Sequence, residues 1–168
     1  MWPIINGLSK WLMTTQLSHD MAGGWKWGWA TCETLHFVGL CLLLGSIGVL
    51  DLRMLGFAKH IPPGAIHKFV PWGVAGFAIN LITGSLFFIG APFQYVKNIA
   101  FLFKLIFILI AGLNIMYFYI GGVRKQIENL GPEDTPPLGA RVVSWVSIIA
   151  WFGVIYWGRM LPFVGNAF

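Results

Sequence analysis

Glu33 and His36 stand three positions apart in "WATCETLHFVGLCLLLGSIGVL", a run otherwise apolar enough to cross a bilayer. Residues at this spacing share one face of a helix. An acid and an imidazole are thereby presented together at membrane depth, where ionisable groups are costly and mark a functional site by default. Lys104, in "NIAFLFKLIFILIAGLN", and Arg159, in "VIYWGRML", place cations in two further apolar runs. Counted inward at 1.5 Å per residue, His36 and Lys104 both lie roughly 10 Å below one membrane surface, with Glu33 one turn nearer to it. Arg159 falls near the same surface, and Thr83 and Asn80 in the outer half or middle of another run. The opposite side carries a weaker set, His60 and His67, beside Asp51 and Arg53. An ion pair or a lipid-headgroup contact is the simple account of Asp51 and Arg53.

Four chemistries suit the outer layer. A Glu33–Lys104 ion pair with His36 as a hydrogen-bonding core residue needs no ligand. A haem b would take the neutral His36 imidazole as an axial ligand, with Lys104 or Arg159 meeting its propionates. Gly39, Gly45, Ser46 and Gly48 would let a flat ring approach the backbone, ordinary close packing being the simpler role for Gly45 and Gly48. A metal ion is suggested by E-x-x-H, the spacing of bundle-core carboxylate sites, but those sites need more carboxylates than Glu33, the one acid well within the spans. Cys32, His36 and Met160 offer a softer copper set on ligand type alone. The fourth is a proton or solute path through Glu33, His36 and Lys104, as in a copper- or proton-coupled transporter without haem. His67 lies nearly a full span from His36, so the two would hold separate haems, in the two-tier arrangement that carries electrons across a membrane.

The elements that must position these groups are legible as apolar runs. The chain is 57% hydrophobic and 10% charged, outside the range of an ordinary soluble domain. Runs at about 29–50, 70–89, 99–120 and 142–164 are each long enough to span. They predict an all-α protein, a four-helix transmembrane bundle forming a single domain over 1–168. "IINGLSKWL" sets Ile4, Ile5, Leu8, Trp11 and Leu12 opposite Asn6, Ser9 and Lys10, the pattern of a short amphipathic helix in the interface plane. The N-terminus lacks the features of a cleaved signal peptide and is expected to be retained. Arg53, Lys59, Lys68, Arg124, Lys125 and Arg141 fall on one side, against Lys10, Lys26 and Lys97 on the other. By the positive-inside rule both termini face outward, the periplasm in a bacterial inner membrane. The formal charge of +5 is thus a topology signal; no basic stripe suggests nucleic acid. Cys32 and Cys41 lie about 13 Å apart along one helix, too far for a disulfide. The absence of C-x-x-C-H excludes covalent c-type haem.

The strings "ETLHFVGLCLLLGSIGVLDLRMLG", "PWGVAGFAINLITGSLFF", "FKLIFILIAGLN" and "WFGVIYWGRML", spread over roughly 29–163, resemble a family of small four-helix bacterial inner-membrane proteins of unknown function. The histidine of the first helix with the lysine of the third is also similar, more distantly, to the four-helix protoporphyrinogen oxidases and to copper-resistance D and cytochrome b561-like proteins. That resemblance implies haem binding at His36 and Lys104, and an oxidase acting on a porphyrinogen as an alternative activity. Where such proteins often carry a histidine at the inner end of the third helix, this chain has Tyr119 in "NIMYFY". The expectation is a membrane-embedded b-type cytochrome for electron transfer or redox sensing, with His36 as ligand, Glu33 tuning it, and Lys104 and Arg159 at the propionates. Met160, His19, water and a neighbouring chain are the candidates for the sixth ligand, and His67 for a second haem. A quinone or a periplasmic redox partner would exchange the electrons. "GVAG" (73–76) and "GSIG" (45–48) offer small-residue faces for a homo-oligomer.

Overall fold

The structure is a computed structural model that describes residues 2–57, 60–62, 67–128, 130–131 and 134–164. Lys59 and parts of the last inner loop lie outside the described residues. Within them the chain is all-helical. Four helices are long and apolar enough to cross a membrane, consistent with a multi-pass membrane protein.

Helix α1 (Trp2–Met13) is amphipathic, exposing Leu8 and Trp11. Ser9, expected on its water-facing side, is instead buried, because this helix lies against the outer ends of the bundle. Thr15 caps the short α2 (Gln16–His19) by accepting from the Ser18 N–H, and a wide turn at Asp20–Gly24 reverses the chain. Gly23 sits there at φ 139°, a conformation side chains disfavour.

The spanning helices are α3 (Gly28–Met54), α4 (Val70–Gly90), α6 (Ile99–Ile120) and α8 (Leu138–Val164), joined in part by the short α5 (Pro92–Val96) and α7 (Val123–Glu128). The 70–89 and 99–120 spans match the expected bounds closely, whereas α3 runs on to Met54 and α8 starts at Leu138. Both extensions have local causes. The Pro137 carbonyl accepts from the Arg141 N–H and opens α8 one turn early. The Asp51 carbonyl accepts from the Leu55 N–H at 2.9 Å and closes the last turn of α3, where Asp51 and Arg53 are both buried.

The four spans form two antiparallel hairpins, α3 with α4 and α6 with α8, which meet along α3 and α8. Glycines set both hairpins. A Cβ on Gly76 would stand 2.6 Å from the Gly39 carbonyl oxygen and from the Leu43 nitrogen, so the α3 and α4 backbones touch. A Cβ on Gly153 would meet the Phe107 ring at 2.5 Å, locking α6 on α8. The glycine roles therefore invert the expectation: Gly39 is consumed by helix packing, while Gly45 and Gly48 face open space. Likewise "GVAG" is spent inside the chain, Gly73 against Ser46 and Gly76 against Gly39, while Gly48 borders a recess between α3 and α8.

Two asparagines join the second hairpin. Asn98 caps α6 through the Ala100 N–H, and its Nδ2 donates to the Leu161 carbonyl at 2.8 Å. Asn114 donates to the Val143 carbonyl at 3.0 Å, a bond from α6 to α8. At the inner end Met54, Phe118, Val123, Ile127, Ala140 and Val143 form a buried apolar cluster. Arg53, 1% exposed, donates from Nε to the Ile61 carbonyl at 2.9 Å and from Nη2 to the Gly131 carbonyl at 3.5 Å. Of the two simple accounts of Asp51 and Arg53, the ion pair between them is not formed: Asp51 is buried within reach of the Ser147 hydroxyl instead.

Gly76→Val is expected to destabilise the protein by about 1–3 kcal/mol through overpacking. Gly48→Ala should lie within about 0.5 kcal/mol of wild type. Thermal unfolding in one detergent compares the two, and equal melting temperatures would contradict the backbone contact.

Candidate functional site

His36 lies eight residues inside α3 from Gly28, and Thr83 seven residues inside α4 from Gly90, so both reach the same depth. They meet: His36 Nδ1 is 2.7 Å from Thr83 Oγ1. The Thr83 hydroxyl has one proton, and it donates that proton to the Ile79 carbonyl at 2.7 Å. With the Thr83 proton on that carbonyl, Thr83 accepts from His36 Nδ1–H, the tautomer that leaves the Nε2 lone pair uncommitted. The Thr83 carbonyl in turn accepts from Cys32 Sγ at 3.5 Å.

The imidazole is half-buried, with the Phe87 ring edge-on at 5.7 Å between centroids and Trp29 tilted against Phe87 at 4.8 Å. A Cβ on Gly84 would lie 3.8 Å from His36 Cε1. Lys104, on the other hairpin, is the cation whose field reaches this imidazole. It makes no ion pair or hydrogen bond among the described residues, and its Nζ lies 3.7 Å from where a Gly158 Cβ would stand. Pro162, lacking an N–H, removes the helical donor to the Gly158 carbonyl.

The other expected members of the layer are placed differently. Glu33 is exposed, and neither the Glu33–Lys104 ion pair nor a Glu33–His36 hydrogen bond is formed. Its carboxylate acts on Tyr95 of α5 instead. Residues three apart are offset by about 60° around a helix, enough to turn Glu33 outward while His36 turns toward α4. Arg159 is exposed over the Phe163 ring at 5.5 Å, a rim position. His19 is 73% exposed, 3.7 Å from Asp20. Met160 is half-buried. At the inner end, His67 lies against Phe118 at 6.3 Å and faces a separate cleft, and His60 is exposed. Among the described residues no three His, Cys, Asp or Glu side chains converge on a metal-ion site. A second recess, about 250 Å³, lies between α3 and α8, walled by apolar residues including Leu44, Ile47 and Trp151, with Asp51 in its lining.

Comparison with family models, curated proteins and solved structures finds no match for this chain.

Tyr95 offers a readout of the outer rim. Burial, followed by the Cys32 thiolate that forms in alkali and by the Glu33 carboxylate, pushes its phenol up to about 12. The unfolded chain releases that proton near 10, as a free tyrosine does. Between these values the unfolded form binds fewer protons, so stability falls as pH rises through the window. Tyr95→Phe should lack the tyrosinate step at about pH 12 and lose less stability above pH 10. Absorbance titration with alkaline unfolding checks both, and an unchanged titration curve would refute the placement.

Proposed function

We propose that this protein is a membrane-embedded b-type cytochrome that binds one haem noncovalently through His36 Nε2, for electron transfer or redox sensing. The observation that carries this reading is the hydrogen-bond chain from His36 Nδ1 through Thr83 to the Ile79 carbonyl. Iron-ligating histidines commonly donate their second ring N–H to a fixed acceptor, which sets the tautomer, holds the ring and raises ligand basicity. A histidine serving only to satisfy core polarity needs no free lone pair. Here one nitrogen is tied down and the other is not.

The remaining residues suit the same ligand. Lys104 has no protein counter-ion among the described residues and would meet a propionate. Phe87 and Trp29 supply an apolar wall that keeps water from the imidazole. His36 and Lys104 stand on different hairpins that contact each other mainly through α3 and α8, leaving α4 and α6 little engaged with one another. When bound, the haem supplies reversible one-electron chemistry. The protein holds the ring, compensates the propionate charge and excludes solvent. Glu33 enters this reading only as an exposed group at the outer rim.

The distribution of basic residues supports a bacterial inner membrane with both termini periplasmic. A lipid-soluble quinone or a periplasmic protein would exchange the electrons, and the recess beside Asp51 is one that a quinone could enter from the bilayer.

The test is the absorption spectrum of detergent-purified protein, oxidised and dithionite-reduced, with extracted porphyrin quantified. The expected result is a sharp reduced α-band at one haem per chain, lost in His36→Ala. Thr83→Val should weaken haem retention by about 10- to 100-fold, the usual effect of removing the acceptor behind a metal-bound histidine. Lys104→Met should shift the potential while keeping the band. A colourless wild type made with ample haem, or a band that survives His36→Ala, overturns the reading.

A further inference from the structure

At the inner end of the bundle lies a cleft of about 440 Å³ that the haem reading does not use. It is lined by His67, Val70 and Pro71 at the start of α4, Tyr119 near the end of α6, and Arg124 and Glu128 on α7. The chain builds it by a tight reversal. Gly121 donates to the Tyr117 carbonyl at 2.7 Å, and Gly122 takes φ 77°, open to glycine at little cost. Helix α7 is thereby folded back so that the Arg124 guanidinium stands over the Tyr119 ring at 5.5 Å.

The polar groups are incompletely satisfied. Arg124 Nε donates to Glu128 Oε1 at 2.7 Å, which occupies one donor of the guanidinium and one oxygen of the carboxylate. Its remaining N–H groups and Glu128 Oε2 have no hydrogen-bond partner among the described residues. His67 Nε2 is buried without a hydrogen-bond partner among the described residues, a costly state for an imidazole nitrogen. No hydrogen bond among the described residues restrains the His67 ring, and a turn of it would bring Nε2 to the cleft that the residue lines. Donors from Arg124 and His67, the Glu128 acceptor beside Arg124 and the apolar lining of Val70 and Pro71 describe a receptor for a zwitterion.

The cleft opens at the inner ends of two spans, the depth of phospholipid headgroups. We infer that it binds the phosphoethanolamine headgroup of an inner-leaflet phospholipid. The phosphate accepts from the free Arg124 N–H groups and from His67 Nε2, and the ammonium donates to Glu128 Oε2. Arg124 and Glu128 sum to no net charge, matching a headgroup that does the same. A purely anionic headgroup would leave Glu128 facing negative charge. The inference goes beyond the haem reading and does not depend on it.

The test is native mass spectrometry of the full-length, delipidated protein titrated with phosphatidylethanolamine, phosphatidylglycerol, glycerophosphoethanolamine and inorganic phosphate. One phosphatidylethanolamine per chain is expected, retained about tenfold more strongly than phosphatidylglycerol. Arg124→Gln and Glu128→Gln, both at partly exposed positions, should each weaken it about tenfold, the usual loss for one charged hydrogen bond. His67→Leu should weaken it about fivefold. His36→Ala should retain the lipid, which separates this site from the haem. Equal retention of the two lipids, or indifference to Glu128→Gln, overturns the zwitterion site. Binding of glycerophosphoethanolamine or inorganic phosphate as tight as the lipid's assigns the cleft to a soluble phosphate compound instead. A second haem per chain that disappears in His67→Leu would make it an inner haem site and overturn the proposal.

Discussion

The contact of two backbones at Gly39 and Gly76 governs the first half of the molecule. With no Cβ on either glycine, α3 and α4 close to the point where carbonyl and amide atoms nearly touch. From that point the antiparallel register follows. Ser46 faces Gly73, Leu43 faces Gly76, Gly39 faces Asn80 and His36 faces Thr83, stepping in opposite directions by one turn at a time. A shift of one residue rotates each helix by about 100° and would part the imidazole from the hydroxyl. The placement of the candidate ligand is thus a consequence of helix packing.

Several short polar side chains within the spans follow one pattern, in which each finds a backbone carbonyl nearby. Thr83 bonds Ile79, Ser85 bonds Leu81 and Ser144 bonds Ala140, each one turn back along its own helix. Asn98 and Asn114 instead bond a carbonyl of the neighbouring helix. Such bonds are the cheapest way to carry polarity through hydrocarbon, since no partner side chain must be ordered. Lys104 departs from the pattern, and this sets it apart from groups whose role is packing.

The spans were legible because an apolar run of about 20 residues has few alternatives in water or lipid. Their ends were less so. Asp51 and Arg53 read as boundary charges because a sequence shows neither the Ile61 and Gly131 carbonyls nor the Ser147 hydroxyl brought to them by other segments. The shared depth of His36 and Lys104 could be counted along each helix, whereas Thr83 as the partner of His36 could not, since helix rotation depends on which glycines are in contact. Counting both α3 and α4 from their outer ends would have put Thr83 level with His36. Glu33 was misplaced by a spacing argument that treats an arc of about 60° as a single face.

The guanidinium of Arg53 has a consequence for biosynthesis. Its two acceptors, at Ile61 and Gly131, lie 8 and 78 residues farther along the chain. During N-to-C-terminal synthesis the first hairpin can reach the bilayer while the segment that supplies the second carbonyl is still unmade. Of these two carbonyls, only that of Ile61 is then within the chain already made. The first two helices therefore enter the membrane unfinished, and the loop before the fourth helix completes them.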